Sequence, residues 1–201
     1  MATKNFTLNA SADDAMEIGG TVTLNGANGV VSAAARYAGF SFETAADPVA
    51  QGAVITSAIF TYRPASVATD DPDMTVKGHK VVNSAQYSTG SNNISARYSG
   101  NPTTASVSDI GSSVGVGARD VDVTGIVQEL VNQGGWSGTS RIGLIFRGNS
   151  GSANGSMVFF DNGSNFATLT VVVADAGAGQ PMAARGRLVP GMRRPHGSQG
   201  W

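Results

Sequence analysis

Val54-Ile55-Thr56-Ser57-Ala58-Ile59-Phe60-Thr61-Tyr62 is a β-branched and aromatic run that Arg63-Pro64 brings to a stop. Such residues suit a pleated, half-buried surface and lose rotamer freedom in a helix, so the run predicts a strand. Proline ends it because it has no N–H to give to a ladder. Upstream, Tyr37 to Phe42 alternates and leads into the loop Ala45-Ala46-Asp47-Pro48, and Thr21-Val22-Thr23-Leu24 alternates up to Asn25-Gly26. Downstream, Met74 to Val82 alternates, with Thr75, Lys77 and His79 on one face and Val76, Gly78 and Lys80 on the other. Ile142 to Arg147, Met157 to Phe160 and Phe166 to Val173 supply three late strands.

Between these runs lie NGANG, TGSNN, RGNSGSANGS and DNGSN, where Gly and Asn accept the positive φ that tight turns need. Short strands cut by such turns are the pattern of an antiparallel sandwich or barrel. One helix is predicted, over Thr124–Gln133. There Ile126/Leu130 and Val127/Val131 form i,i+4 apolar pairs, Thr124 stands at the cap and Gly134-Gly135 follows. So short a helix is marginal alone, which places it against the sandwich. The core is expected to hold Phe40, Phe42, Ile55, Ile59, Ile126, Leu130, Leu144, Phe146, Leu169 and Val171.

At 201 residues with 41% hydrophobic residues, the chain suits one all-β domain with a real core. It has no cysteine, which excludes disulfides and thiolate metal sites. No run of about 18 apolar residues exists to span a membrane, and MATKNFTLNA lacks the basic-then-apolar pattern of a secretion signal. Charge is divided along the chain. All 14 acidic residues lie at or before Asp175 with nine of the 13 basic ones, giving −5; Arg185, Arg187, Arg193 and Arg194 give +4 after it. Glycine and proline interrupt residues 176–201, so this segment reads as an extended arm after a domain of residues 1–175.

Two stretches carry a family resemblance. One is Arg36-Tyr37-Ala38-Gly39-Phe40-Ser41-Phe42 followed by Gly52-Ala53-Val54-Ile55-Thr56-Ser57-Ala58-Ile59-Phe60. The other is Asp122-Val123-Thr124-Gly125-Ile126-Val127-Gln128-Glu129-Leu130-Val131, then Trp136, then Ile142-Gly143-Leu144-Ile145-Phe146. Together they resemble the DNRLRE-type jelly-roll domain, related to carbohydrate-binding-module sandwiches. Phe60 stands where that family usually has Leu, and Leu130 where it commonly has Trp. The resemblance covers roughly residues 8–174 and implies a jelly-roll; it says little about function.

Catalysis has little to rest on. His79 falls in a strand and His196 in the arm, so no Ser-His-Asp arrangement follows from spacing. Asp70-Asp71-Pro72-Asp73, Asp13-Asp14 with Glu17, and Asp161-Asn162 are the candidate oxygen ligands for calcium; none has EF-hand spacing, and solvated turns account for them, so no metal or cofactor is expected. The phenylalanines Phe40, Phe42, Phe60, Phe146, Phe159 and Phe166 sit at core-like strand positions, whereas Tyr37, Tyr62, Tyr87 and Tyr98 are candidates for an exposed, sugar-stacking face.

The arm is the stronger binding candidate. Arg185, Arg187, Leu188, Val189, Met192, Arg193, Arg194 and Trp201 combine cations with apolar plugs, and Arg and Trp are residue types that anchor interfaces. The expectation is a non-enzymatic capsid decoration or cement protein of a tailed phage. It would be made in the host cytoplasm, carried on the virion surface and attached to the major capsid protein or other virion subunits. It would assemble as a homo-oligomer on the particle, with no membrane and no nucleic-acid partner. The alternatives are a carbohydrate-binding or host-adhesion module, and another head–tail subunit.

Overall fold

The computed structural model describes residues 1–31, 36–64, 74–110, 117–149, 155–158 and 160–175. Strands β1 (Ala2–Thr7), β12 (Thr168–Val173), β6 (Ile55–Tyr62) and β9 (Arg119–Asp122) form, in that order, a four-stranded sheet. A six-stranded sheet runs β3 (Thr21–Thr23), β2 (Asp14–Ile18), β5 (Arg36–Phe42), β10 (Ile142–Gly148), β7 (Met74–His79) and β8 (Pro102–Ile110). A separate ribbon pairs β4 (Asn28–Val31) with β11 (Gly155–Val158), and every pairing is antiparallel. Without the β2–β3 hairpin and the ribbon, β1-β12-β6-β9 faces β5-β10-β7-β8. That order, with the first strand beside the last, is a jelly-roll sandwich.

The core forms where the register brings aromatics together. Phe40 pairs with Leu144 across β5 and β10, and Phe146 pairs with Val76 across β10 and β7. From the opposite sheet, Phe60 reaches them, its ring centroid 5.0 Å from Phe40 and 4.8 Å from Phe146. Phe42, Ile55, Ile126, Leu130, Leu144, Leu169 and Val171 are buried around this trio.

Ile59 is not in the core; it is half-buried on the outer face of the four-stranded sheet, between Thr170 and Asp122. The reason is an irregularity against β12, where Val172 faces Ser57 but Val173 faces Ile55. The extra residue, Thr56, reverses the alternation, as a β-bulge does. Ile55 therefore points inward on the same side as Ala58, Phe60 and Tyr62, and Ile59 points outward.

Among the described residues there are two α-helices rather than the one expected. Helix α2 (Thr124–Val131) bridges the sheets at one opening, touching β6 on one side and β7 and β8 on the other, with Ile126, Val127, Leu130 and Val131 buried. Gly78 makes room for it, since a Cβ there would lie 2.8 Å from an Ile126 methyl. Thr124 does not cap the helix: Val123 holds the cap position with no side-chain cap bond, Asp122 Oδ1 accepts the Thr124 N–H at 2.9 Å, and Thr124 Oγ1 accepts the Ala58 N–H at 2.8 Å, tying the helix to β6 just past the bulge.

Helix α1 (Asn93–Gly100) lies on the outer face of the six-stranded sheet, where Ile94 packs with Ala15, Val22, Tyr87 and Ile145. Eight residues are too few to hold a helix alone. Its start is held by the Glu17 carboxylate, and Arg97 near its end donates to Ala85 O at 2.6 Å and Gln86 O at 2.8 Å.

Candidate functional site

The eight arm residues singled out from sequence, Arg185 to Trp201, lie outside the described residues, as do Asp70, Asp71, Asp73 and His196. The described residues end at Asp175, just past β12. Ala174 N–H bonds Val54 O at 2.9 Å, and Asp175 pairs with the Met1 ammonium, so Asp175 lies beside the start of β1 at one end of the four-stranded sheet.

Asp13 and Glu17 beside β2 are committed to internal bonds. Asp13, 1% exposed, accepts Asn9 N–H at 2.9 Å, Ala10 N–H at 3.1 Å and Gln86 Nε2 at 2.9 Å, and pairs with Arg141. Arg141 in turn donates to Ser41 Oγ at 3.0 Å and to Ser41 O at 2.8 Å, closing a network under the β5–β10 edge. Such a buried pair needs these extra bonds to offset its desolvation. Glu17 faces α1 instead, and Asp161 accepts from Ser11 Oγ at 2.7 Å. Among the described residues, no three His, Cys, Asp or Glu side chains converge as a metal site would require.

His79 stands with Thr75 and Lys77 on the outer face of β7. Its Nδ1 lies 3.0 Å from Ser84 Oγ, and burial, reinforced by the Arg97 charge, pulls its pKa down to about 4. The pair has two partners of a catalytic triad, but Ser84 is fully buried and a carbonyl carbon cannot approach its hydroxyl. A depression of about 420 Å³ at the exposed side of α2 is lined by Lys80, Gln128, Glu129 and Gln133. Its polar groups are also committed, with Glu129 accepting Thr104 and Ala105 N–H at 3.0 and 2.8 Å and pairing with Lys80 at 2.7 Å.

The tyrosines divide. Tyr62 and Tyr87 are buried, against the expectation that they are candidates for an exposed face. Tyr62 stacks on Phe60 at the inward face of β6, and Tyr87 fills the space that Gly39 leaves open, where a Cβ would stand 2.3 Å from its Cζ. Tyr37 and Tyr98 remain half-buried, 5.6 Å apart at ring centroids, on the outer face of the six-stranded sheet. Lys77 Nζ lies 5.2 Å and Arg147 Cζ 5.9 Å from the centre of the Tyr98 ring. Sequence reasoning missed this grouping because Tyr98 reaches it from α1; the Ile94/Tyr98 spacing of i,i+4 was the available signal.

Among the described residues, no helix is long and apolar enough to cross a membrane. No protein-family profile matches the chain, and no curated protein matches it.

Proposed function

We propose that this chain is a non-catalytic virion structural protein, a capsid decoration or cement subunit of a tailed phage that attaches to the shell through residues 176–201. The observation that carries this reading is the division of charge at the end of the sandwich. Residues 1–175 carry −5 and residues 176–201 carry +4 with no acidic side chain, and β12 ends at Val173, immediately before that boundary. Arginine guanidinium groups pair bidentately with carboxylates, so such an arm suits an acidic groove on the major capsid protein or a neighbouring virion subunit. Leu188, Val189, Met192 and Trp201 supply the apolar anchors between the cations.

The sandwich supports the reading from the other side. Asp13, Glu17 and its one described histidine are tied into the fold, and the body carries no disulfide. Copies arrayed on a particle would present that body outward. The test is addition of the purified chain to capsids lacking it: saturable attachment that disappears on removal of residues 180–201 supports the assignment, and failure of the full chain to attach removes it.

A further inference from the structure

Between β7 and α1, residues 80–92 cross the outer face of the six-stranded sheet as a strap with no helix or strand of its own. The sheet is recessed to receive it at two glycines. A Cβ on Gly39 of β5 would stand 2.3 Å from Tyr87 Cζ, and a Cβ on Gly143 of β10 would stand 2.3 Å from Ser84 Oγ. Backbone groups seat the strap at both recesses, since Tyr87 N–H bonds Ala12 O at 2.9 Å and Ser84 O accepts Ser41 Oγ at 3.2 Å. Arg97 on α1 clamps it, donating to Ala85 O and Gln86 O with its Cζ 4.6 Å from the centre of the Tyr87 ring.

His79 stands at the root of this strap. Its Nδ1 meets Ser84 Oγ beside Gly143, whose missing Cβ would also lie 3.2 Å from His79 Cβ. Around it are Arg97 and Tyr98 on α1, Lys77 on β7, Lys80 and Tyr87 on the strap, and Arg141 and Arg147 on β10. On β8 it faces Pro102. Asp13 and Glu43 approach from the Arg141 side and pair with that arginine. Among the described residues, no carboxylate stands within ion-pair distance of His79. A proton on the ring therefore meets burial and the Arg97 charge without a counter-ion.

We infer that residues 80–92 form an acid-released strap: it is shut by the His79–Ser84 bond and the Arg97 clamp while His79 is neutral, and it opens when His79 takes up a proton. The new charge repels Arg97 and so weakens the hold on Ala85 and Gln86. Ser84 and Tyr87 then leave their recesses, the imidazolium gains water, and the trench over Gly39 and Gly143 is uncovered. The open strap binds the proton more tightly than the shut one, so opening grows as pH falls below the ordinary histidine value of 6.5. Loss of the strap does not require loss of the sheet, because β5 and β10 remain paired to each other and to β2 and β7.

The experiment is amide hydrogen exchange on the full-length chain at pH 7 and pH 5, with the intrinsic exchange rate at each pH divided out. Opening of residues 80–92 should rise about tenfold or more at pH 5, while β5 and β10 keep their protection. His79→Gln keeps a group that can bond Ser84 but does not titrate, and it should show no such rise. Should His79→Gln fail to fold, proton NMR of the His79 ring in the parent decides, since the ring must become charged over the same pH range in which the strap opens. The inference is overturned if residues 80–92 are equally protected at both pH values, or if they lose protection only together with β5 and β10. It is overturned equally if His79→Gln responds like the parent, or if the strap opens while the ring stays neutral. No capsid enters the measurement, so its outcome is separate from the fate of the attachment reading.

Discussion

The Glu17 carboxylate on β2 accepts the backbone N–H of Ile94, 77 residues away, at 2.8 Å, and that of Ser95 at 2.9 Å. These are N–H groups in the first turn of α1, which have no partner inside the helix, and a negative charge there also meets the positive end of the helix dipole. Asn92, the residue at the cap position, makes no side-chain cap bond, so Glu17 does from another strand what a cap does locally. Glu17→Ala should cost about 1–3 kcal/mol, the range for leaving buried donors unsatisfied. Hydrogen exchange should show the loss concentrated at residues 93–100, and uniform protection there would refute the assignment.

Leu130 is the second test. It is 1% exposed at the centre of the α2 face that closes the sandwich, and its methyl would sit 3.2 Å from a Cβ placed on Gly78. Leu130→Ala should cost about 2–5 kcal/mol through lost transfer energy and the cavity left behind. Gly78→Ala should also destabilise, by overpacking against Ile126 and Thr103. Chemical denaturation measures both, and wild-type stability in either variant contradicts this packing.

Acid titration isolates His79. Its pKa falls from 6.5 to about 4 on folding, so between these values the unfolded chain binds the extra proton. Stability therefore rises with pH through this window and is lost as pH falls from about 6.5 toward 4. Asp122 and Glu129 have lowered values and add a loss only at more acidic pH, as they protonate below the ordinary carboxylate range. A His79→Gln variant should lose most of the stability change between pH 6.5 and 4 while keeping the steeper loss below it. An unchanged melting profile across that window would show that His79 is not the group responsible.

The fold was readable where residue type and alternation agreed. Val54–Tyr62, Tyr37–Phe42 and Ile142–Arg147 are each rich in β-branched and aromatic residues, and each forms a strand within a residue of its expected bounds. It was unreadable where long-range partners decide. Helix α1 has only Ile94 and Tyr98 as an apolar stripe, and its stability comes from Glu17 and Arg97 contacts that spacing does not reveal. Strand β8, PTTASVSDI, is a polar edge strand whose identity comes from pairing with β7. Ile55 and Ile59 share a parity in sequence and were expected to share the core; the irregularity at Val172/Val173 separates them. The Tyr37, Tyr98, Lys77 and Arg147 grouping was hidden for the same reason as α1, whereas the basic, glycine- and proline-rich composition of residues 176–201 is read from the sequence alone.

The proposed attachment through residues 176–201 implies functions that truncation separates. β12 is held on both sides, by β1 and by β6, and Ala174 N–H still bonds Val54 O at 2.9 Å. The sandwich is thus closed before residue 176, and removing residues 180–201 should leave its melting temperature nearly unchanged. Holding so glycine-rich an arm in one conformation costs about 1–2 kcal/mol per residue in backbone entropy. A partner surface has to offset that cost through the apolar anchors and the four arginines. Truncation should therefore abolish attachment to capsids while circular dichroism and thermal unfolding stay as in the full chain. Trp201→Ala combined with Arg193→Ala and Arg194→Ala should weaken attachment strongly. Added salt should then matter less than it does for the parent, since screening acts on the arginine share and not on the buried apolar contacts. Full occupancy by the truncated chain would move the attachment surface onto the sandwich, and the outer face bearing Lys77 and Arg147 would become the first place to look for it.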